Sequence, residues 1–152
     1  MEKRPDWDHY FLDVAKVVST RSVCFRSHCG AVIVKDKHII STGYNGASRY
    51  QKNCQEIGFC YRERNHIKSG TELERCRAVG CHSESNAISL AARHNGGCDG
   101  ATIYIFGNHY ICNQCKGMIA NAGIKRVVYE DEHGKIAEIY PEKDWTVHPI
   151  DQ

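Results

Sequence analysis

The residue types that could do chemistry in this 152-residue chain are concentrated in two short motifs, His82-Ser83-Glu84 and Cys112-Asn113-Gln114-Cys115. Each motif lies at the start of a predicted helix, where the positive end of the helix dipole favours thiolates and other anionic ligands. Two thiolates and one imidazole leave a tetrahedral zinc ion one ligand short, and a water molecule in the fourth position can ionise near neutral pH. The spacing therefore indicates a catalytic zinc site.

The acid in the first motif, Glu84, distinguishes a catalytic zinc site from a structural one. A structural site has no use for a carboxylate beside its histidine and would supply a fourth protein ligand. Positions two apart on an ideal helix point about 200° away from each other, so His82 and Glu84 can share one water only where the motif straddles a helix start. A carboxylate there could take a proton from that water and hand it to a leaving amine. Otherwise Glu84 is an ordinary acid at a helix N-terminus, His82 is a core histidine, and the two cysteines are a redox pair or half of a zinc ribbon.

Regular hydrophobic patterns predict the elements that position these motifs. Apolar residues at helical spacing predict an amphipathic first helix over residues 7–18. Two short strands over 31–34 and 39–42, separated by Asp36-Lys37, predict a hairpin. The later patterns predict two helices and three strands, at residues 82–94 and 113–122 and at residues 101–106, 126–129 and 136–140.

The order of these elements predicts a single domain over residues 1–152 with an α/β/α sandwich architecture. In this three-layer architecture, two layers of helices are expected to enclose a mixed, largely parallel sheet, because a helix that connects two strands usually makes them parallel. Residues 43–81 interrupt this order with an irregular insertion that is rich in glycine and cysteine. Since long irregular segments are uncommon inside compact domains, a bound metal is expected to order this one.

The composition excludes several functional classes. With 20 Lys and Arg against 18 Asp and Glu, the formal net charge of +2 is too small to hold a nucleic acid or a membrane surface by charge alone. Arg62, Arg64 and Lys68 alternate with acidic residues and are interpreted as a solvated mixed face. No apolar run could span a bilayer, and the charged N-terminus does not look like an export signal. A cytoplasmic location is therefore expected, in which the nine cysteines serve metal or thiolate chemistry rather than disulfides.

Taken together, the two motifs match the His-x-Glu and Cys-x-x-Cys signature of the zinc-dependent nucleobase and nucleotide deaminases. Along nearly its whole length the chain resembles the deoxycytidylate (dCMP) deaminase family, which implies a cytidine-deaminase-like version of the sandwich. The similar stretches are residues 21–24, 30–34, 40–46, 81–88 and 117–128. The bare motifs also fit cytidine, guanine and tRNA-adenosine deaminases, whereas Gly43-Tyr44-Asn45-Gly46 beside a cysteine-rich insertion is typical of the dCMP branch.

The resemblance assigns roles to individual residues. It implies that His82, Cys112 and Cys115 hold a catalytic zinc. Glu84 would shuttle protons while water adds to cytosine C4, ammonia leaves and dUMP forms. The implied substrate contacts at the sugar, the phosphate and the cytosine amine are, respectively, Asn45, Arg26 and the backbone carbonyl of Ser83.

A second group of cysteines predicts a structural zinc site. Members of the resembled family carry cysteines at matching places, and some bind a structural zinc there. A closed four-thiolate site would order the insertion with little apolar content, although one or two of these cysteines could instead be small buried hydrophobes. The predicted ligands are Cys24, Cys54, Cys60 and Cys76, the alternative ligands are His28, His66 and Cys81, and the remaining core or incidental thiols are Cys29 and Cys98.

Three departures from the family pattern bear on the choice of substrate. Ser83 stands where the family usually has Ala, Ile111 stands where it has Pro, and the loop over residues 107–111 is longer. Because that loop borders the base pocket in the resemblance, a cytosine nucleotide with a 5-substituent, such as 5-substituted dCMP, is an alternative substrate. The motifs would also suit a deaminase of a nucleic-acid base or a non-catalytic, zinc-stabilised interaction module.

The resemblance also implies partners and regulation. The family forms homo-oligomers, often hexamers, which dCTP activates and dTTP inhibits. Gly43, Tyr44 and Gly46 are the implied effector region. A small nucleotide substrate is expected, with no membrane partner and no stable binding to nucleic acid.

Overall fold

The computed structural model describes residues 3–152. Its strands are β1 (Gly30–Lys35), β2 (His38–Tyr44), β3 (Thr102–Phe106), β4 (Arg126–Glu130) and β5 (Ile136–Ile139). Its helices are α1 (Trp7–Ser19), α2 (Cys54–Ile57), α3 (Tyr61–Arg64), α4 (Ser83–Asn95), α5 (Asn113–Asn121) and α6 (Pro141–Asp144), with 3₁₀ turns at Leu73–Arg75 and Pro149–Asp151. No helix in this described range is both long and apolar enough to cross a membrane.

The five strands form one sheet in the order β2-β1-β3-β4-β5, and helices cover both of its faces. Alternate residues of β1 point into two separate cores. Ala31 and Ile33 pack with α4 and α5 on one face, whereas Val32 and Val34 pack with α1 on the other. This arrangement confirms the predicted three-layer sandwich around a mixed sheet, and it explains why β1 is apolar on both faces.

The expectation that the sheet is largely parallel is wrong. In the described chain only β3 and β4 pair in parallel, because β1 runs antiparallel to both β2 and β3, and β5 runs antiparallel to β4. The helix α5 connects β3 to its neighbour β4, so this pair is parallel as expected. The helix α4 instead carries the chain from β2 past β1 to β3. The two strands it connects are parallel to each other, but they are not adjacent.

Two glycines allow the helices to pack directly on the strands. A Cβ atom on Gly30 would lie 2.1 Å from the carbonyl oxygen of Ala15, so α1 rests on the backbone of β1. A Cβ atom on Gly43 would lie 2.4 Å from both the Ser83 carbonyl oxygen and the Ala87 nitrogen. The first turn of α4 therefore rests on β2, and a larger residue at Gly43 would push that turn away.

A network of ion pairs fastens α1 to the sheet. Arg126 on β4 donates to both carboxylate oxygens of Asp8, at 2.9 and 2.6 Å, and the Tyr104 hydroxyl donates to Asp8 at 2.8 Å. Arg126 also pairs with Glu138 on β5 at 3.0 Å. The hydrogen bond from Arg126 lowers the pKa of Asp8, so the carboxylate stabilises the fold in its charged form.

The irregular insertion contains three single helical turns, α2, α3 and the 3₁₀ turn. In α2, the Asn53 side chain accepts a hydrogen bond from the Glu56 backbone at 2.9 Å, and the Glu56 carboxylate accepts one from the Asn53 backbone at 3.1 Å. This reciprocal cap is a helix-start signal that can be read from Asn-x-x-Glu in the sequence. The rest of the insertion has no periodic pattern, and hydrogen bonds from Arg62 to the Lys68 and Thr71 carbonyls and from Arg75 to the Tyr61 hydroxyl link its turns to one another.

Candidate active site

Three side chains that the sequence predicts as metal ligands meet in the structure. His82, Cys112 and Cys115 place their ligand atoms within 4.8 Å of one another. His82 Nδ1 lies 3.5 Å from Cys112 Sγ and 3.5 Å from Cys115 Sγ. Tetrahedral zinc with ordinary Zn–N and Zn–S bond lengths separates a nitrogen ligand from a sulfur ligand by about 3.6 Å. The donor set therefore fits zinc, and three protein ligands leave one tetrahedral position for water or substrate.

The starts of two helices bring these ligands together. His82 immediately precedes α4 with extended backbone angles of φ −71° and ψ 165°, and Cys112 immediately precedes α5. Both helices pack on the same face of the sheet. The Cys112 sulfur caps its helix by accepting a hydrogen bond from the Cys115 backbone N–H at 3.4 Å. The Cys-x-x-Cys spacing thus directs both sulfurs to one point and supplies a donor that favours the thiolate.

Hydrogen bonds within the donor set favour a thiolate at Cys112. Hydrogen bonds with Cys115 and His82 lower the pKa of Cys112 to about 4. The pKa of Cys115 is raised, because its thiol is hydrogen-bonded to Cys112 and is buried. The pKa of His82 is also raised, chiefly by its hydrogen bond with Cys112. A divalent metal ion bound here would displace the proton that remains on the pair.

Glu84 lies at the edge of the three-donor set. Its side chain is 1% exposed, and its Oε2 atom lies 3.8 Å from Cys115 Sγ. Because His82 precedes α4 and Glu84 is inside it, the motif straddles the helix start, as the sequence predicts. Burial raises the pKa of Glu84, and the Ser83 hydroxyl donates to Oε2 at 3.2 Å. A buried carboxyl group with a raised pKa can both accept and return a proton.

A cavity of about 210 Å³ opens onto the donor set and Glu84. The residues predicted to contact substrate, Arg26, Asn45 and Ser83, all line it. Asn108 and Tyr110 line it as well, so the loop over 107–111 borders the cavity. Within the residues that the structure describes, the predicted effector residues Gly43, Tyr44 and Gly46 lie outside this lining.

Two of the side chains predicted to contact substrate, Asn45 and Arg26, form hydrogen bonds with backbone groups of the protein. Asn45 is 8% exposed; its side-chain oxygen accepts from the Cys29 N–H at 2.9 Å and its amide donates to the Ser27 carbonyl at 3.0 Å. Asn45 therefore orders the loop over 27–29 at the cavity wall and keeps one N–H for a ligand. Arg26 donates from Nη1 to the Ile67 carbonyl at 3.3 Å, which links it to the insertion.

The four cysteines predicted as a second zinc site line the same cavity. Among the described residues, no three of their sulfurs lie within 4.8 Å of one another. Cys24 Sγ accepts a hydrogen bond from the Arg26 N–H at 3.4 Å, and Cys76 Sγ accepts one from the Ala78 N–H at 3.5 Å. Burial raises the pKa of Cys54, and the other three thiols contribute to that rise. The thiols are thus close neighbours that have not converged on one point.

The remaining cysteine and histidine candidates separate into two groups. His28, His66 and Cys81, the alternative ligands, lie outside the cavity lining in the part of the chain that the structure describes. Cys29 and Cys98 are each 3% exposed, which confirms their interpretation as core thiols, although Cys29 also reaches the cavity wall.

Two arginines that line the cavity were not expected from the sequence, Arg62 and Arg77. Arg62 is only 7% exposed, so its interpretation as part of a solvated face is wrong, whereas Arg64 and Lys68 are exposed as expected. Local alternation of charges does not reveal which member of the run turns inward, because the acceptors that hold Arg62 come from elsewhere in the insertion.

Comparison with known proteins gives the relatives of this chain. Residues 5–131 match the cytidine and deoxycytidylate deaminase zinc-binding region. The chain is 40% identical over 134 residues to the deoxycytidylate deaminase of Mycobacterium phage D29, covering 85% of this chain and 98% of that protein. It is 37% identical over 130 residues to the deoxycytidylate deaminase of Schizosaccharomyces pombe, covering 86% of this chain and 38% of that protein. The crystal structure of dCMP deaminase from the cyanophage S-TIM5 in complex with dCMP and dUMP has a TM-score of 0.62 and 28% identity, covering 86% of this chain and 85% of that chain.

Proposed function

The chain belongs to the cytidine and deoxycytidylate deaminase family, and on this premise we propose that it deaminates dCMP hydrolytically to dUMP with release of ammonia. The observation that carries the proposal is the buried Glu84 carboxyl beside a set of three, rather than four, zinc-type donors. A non-catalytic zinc module would fill the fourth position with a protein ligand. The phage D29 relative is named deoxycytidylate deaminase, and the cyanophage S-TIM5 structure contains dCMP and dUMP, which supports this choice of substrate.

We assign the chemistry to four side chains. His82, Cys112 and Cys115 would hold the zinc ion, which when bound lets a water molecule ionise near neutral pH. Glu84 takes a proton from the attacking water and delivers it to the amine that leaves cytosine C4. Its burial keeps both proton transfers out of bulk solvent, and the Ser83 hydroxyl holds the carboxylate in place.

The same cavity would bind the nucleotide. We assign Arg26 to the phosphate and Asn45 to the sugar, because both reach the cavity wall with N–H donors. The Ser83 backbone is assigned to the cytosine amine. The loop over 107–111, with Tyr110 at the cavity wall, would set tolerance for a substituent at cytosine C5, so 5-substituted dCMP stays in the substrate panel below.

We also infer a second, structural zinc held by Cys24 and the three insertion cysteines Cys54, Cys60 and Cys76, within a single domain of residues 1–152. The backbone N–H groups of Arg26 and Ala78, which donate to the sulfurs of Cys24 and Cys76, support it, because such bonds stabilise thiolates. Homo-oligomers and regulation by dCTP and dTTP are inferred from the family resemblance, with Gly43, Tyr44 and Gly46 as the effector region. The exposed aromatic residues Trp7 and Tyr10 on α1 offer apolar surface for such an assembly.

The test is ammonia release from a panel of dCMP, CMP, dCTP, deoxycytidine and 5-substituted dCMP. We expect the highest kcat/KM for dCMP and loss of turnover after zinc removal, with recovery when zinc is restored. Protein that contains zinc but releases no ammonia from any of these compounds would instead favour a non-catalytic module.

A further inference from the structure

Arg62, on the single-turn helix α3, is a buried cation without a carboxylate partner. Its exposed fraction is 7%, and none of the ion pairs in the described residues includes it. Buried charges in proteins are normally paired, because the transfer of an unpaired charge from water is unfavourable. The burial of Arg62 therefore requires an explanation beyond local packing.

Part of the Arg62 side chain holds a turn of the insertion. Nη2 donates to the carbonyl oxygens of Lys68, at 3.0 Å, and Thr71. The turn over 68–71 contains Gly70 at φ +78°, a left-handed conformation that suits glycine, and a Cβ atom there would lie 3.3 Å from the Tyr110 hydroxyl. Ser69 and Gly70 line the same cavity as the metal donors. Arg62 thus fixes one wall of that cavity.

The contacts of Nη2 do not account for the other N–H groups of the Arg62 guanidinium or for its charge. Nε is buried and has no hydrogen-bond partner, and Nη1 has none among the described residues either. Two neutral carbonyl groups do not require a full positive charge on their donor. The unused N–H groups and the charge together indicate that a further, anionic acceptor belongs beside Arg62.

The charges around the cavity favour an anion at this position. Three guanidinium groups line the cavity, those of Arg26, Arg62 and Arg77, whereas Glu84 is the one carboxylate in the lining that the structure describes. Glu84 lies at the end of the cavity that contains the metal donors. A cytosine nucleotide with its base at that end has one strongly anionic group left to place, its 5′-phosphate.

We propose that Arg62 is a specificity-determining residue that binds the 5′-phosphate of the substrate and so selects nucleotides over nucleosides. This inference rests on the proposed deaminase function and adds a second arginine to the phosphate contact assigned to Arg26. A buried guanidinium held by two carbonyl groups is already oriented before substrate binds, which lowers the entropic cost of the contact.

The first test compares kcat/KM for dCMP and for deoxycytidine in Arg62→Gln and Arg62→Lys. A charge-assisted hydrogen bond implies that the dCMP value falls about 10- to 150-fold more than the deoxycytidine value in Arg62→Gln, with partial recovery in Arg62→Lys. The matched control is Arg64→Gln, on the same helical turn, whose guanidinium stacks 3.4 Å above the Phe59 ring outside the cavity. The control should keep the wild-type ratio. Equal losses for both substrates in Arg62→Gln would show a purely structural role and overturn the proposal.

A second test uses the wild-type protein and so does not depend on the folding of a variant. The Arg62 Nε–H resonance, assigned through bonds in ¹⁵N-labelled protein, should shift on addition of dUMP and not of deoxyuridine. A resonance that responds equally to both compounds would overturn the phosphate contact. Failure of the proposed function is distinguishable, because wild-type protein would then release no ammonia from dCMP whatever the response of Arg62.

Discussion

Replacement of Glu84 by glutamine tests the proton-transfer role of the site most directly. Glutamine has nearly the same shape, and its amide oxygen can still accept the hydrogen bond that Ser83 donates at 3.2 Å. The fold and the zinc ligands should therefore be retained. The amide cannot accept a proton from water, and Glu84 is the one carboxylate that lines the cavity within the described residues. No neighbouring acid can take its place.

The expected loss follows from these contacts. A general acid–base group contributes about 10²- to 10⁴-fold in rate, and Glu84 would act in both proton transfers, so kcat for dCMP should fall by about 10⁴-fold. The assay is ammonia release, with zinc content and melting temperature measured on the same preparation. Ser83→Ala is the matched comparison, because it removes one hydrogen bond to the same carboxylate but keeps the base, and it should cost only about 2- to 10-fold in kcat. If zinc-containing Glu84→Gln keeps more than a tenth of wild-type kcat, the proton shuttle is elsewhere.

Three further predictions concern metal content, pH and packing. Elemental analysis of chelator-washed protein should find about two zinc ions per chain, and Cys76→Ser should reduce this to about one; a wild-type value of one would argue against the structural site. Asp8→Asn should lower the free energy of unfolding by about 1–3 kcal/mol near neutral pH. Because Arg126 lowers the pKa of Asp8 below 3.8, the stabilisation by the Asp8 carboxylate is complete above pH 3.8 and is lost as the pH falls through the lowered value. Urea unfolding at neutral and acid pH should therefore show a smaller difference in stability between wild type and Asp8→Asn at acid pH. A difference that does not change with pH would contradict this coupling of stability to the ionisation of Asp8. Gly43→Ala should reduce melting temperature and kcat together, since a methyl group would lie 2.4 Å from the start of α4, and an unchanged melting temperature would show that β2 can move away without cost.

The regular elements and the metal ligands could be predicted because each depends on a local pattern. Helical spacing from Trp7 predicts α1, and the structure extends it to Ser19. The predicted helix over 82–94 begins one residue later, at Ser83, which leaves His82 in extended backbone and confirms that the motif straddles the helix start. Cys-x-x-Cys at a helix start brings two sulfurs together within a single turn, so no distant contact is required.

The features that could not be predicted depend on contacts between distant segments. The side chain of Arg62 turns inward because carbonyl groups six and nine residues later accept its hydrogen bonds, and the same alternation of charges occurs on ordinary solvated helices. The arrangement of Cys24, Cys54, Cys60 and Cys76 likewise depends on how the insertion folds against the segment before β1. The antiparallel pairing of β1 with β3 depends on which strand lies between the two that α4 connects, and no local pattern specifies this.

The sheet topology explains why the site lies where the motifs predict it, although most strand pairs are antiparallel. Gly30 at the start of β1 pairs with Tyr44 at the end of β2 and with Phe106 at the end of β3, so both of these strands end at the same edge of the sheet. The chain reaches α4 and α5 from that edge, and the positive ends of their dipoles converge on the ligands His82 and Cys112. This requires only that β2 and β3 run in the same direction, which holds although β1 separates them. The irregular insertion joins the chain between β2 and α4, at the same edge, and supplies cavity walls that the sandwich does not. We therefore expect the sandwich to provide the metal ligands and the proton shuttle. The insertion adds Asn45 and Arg62 to the cavity that Arg26 and the loop over 107–111 also line.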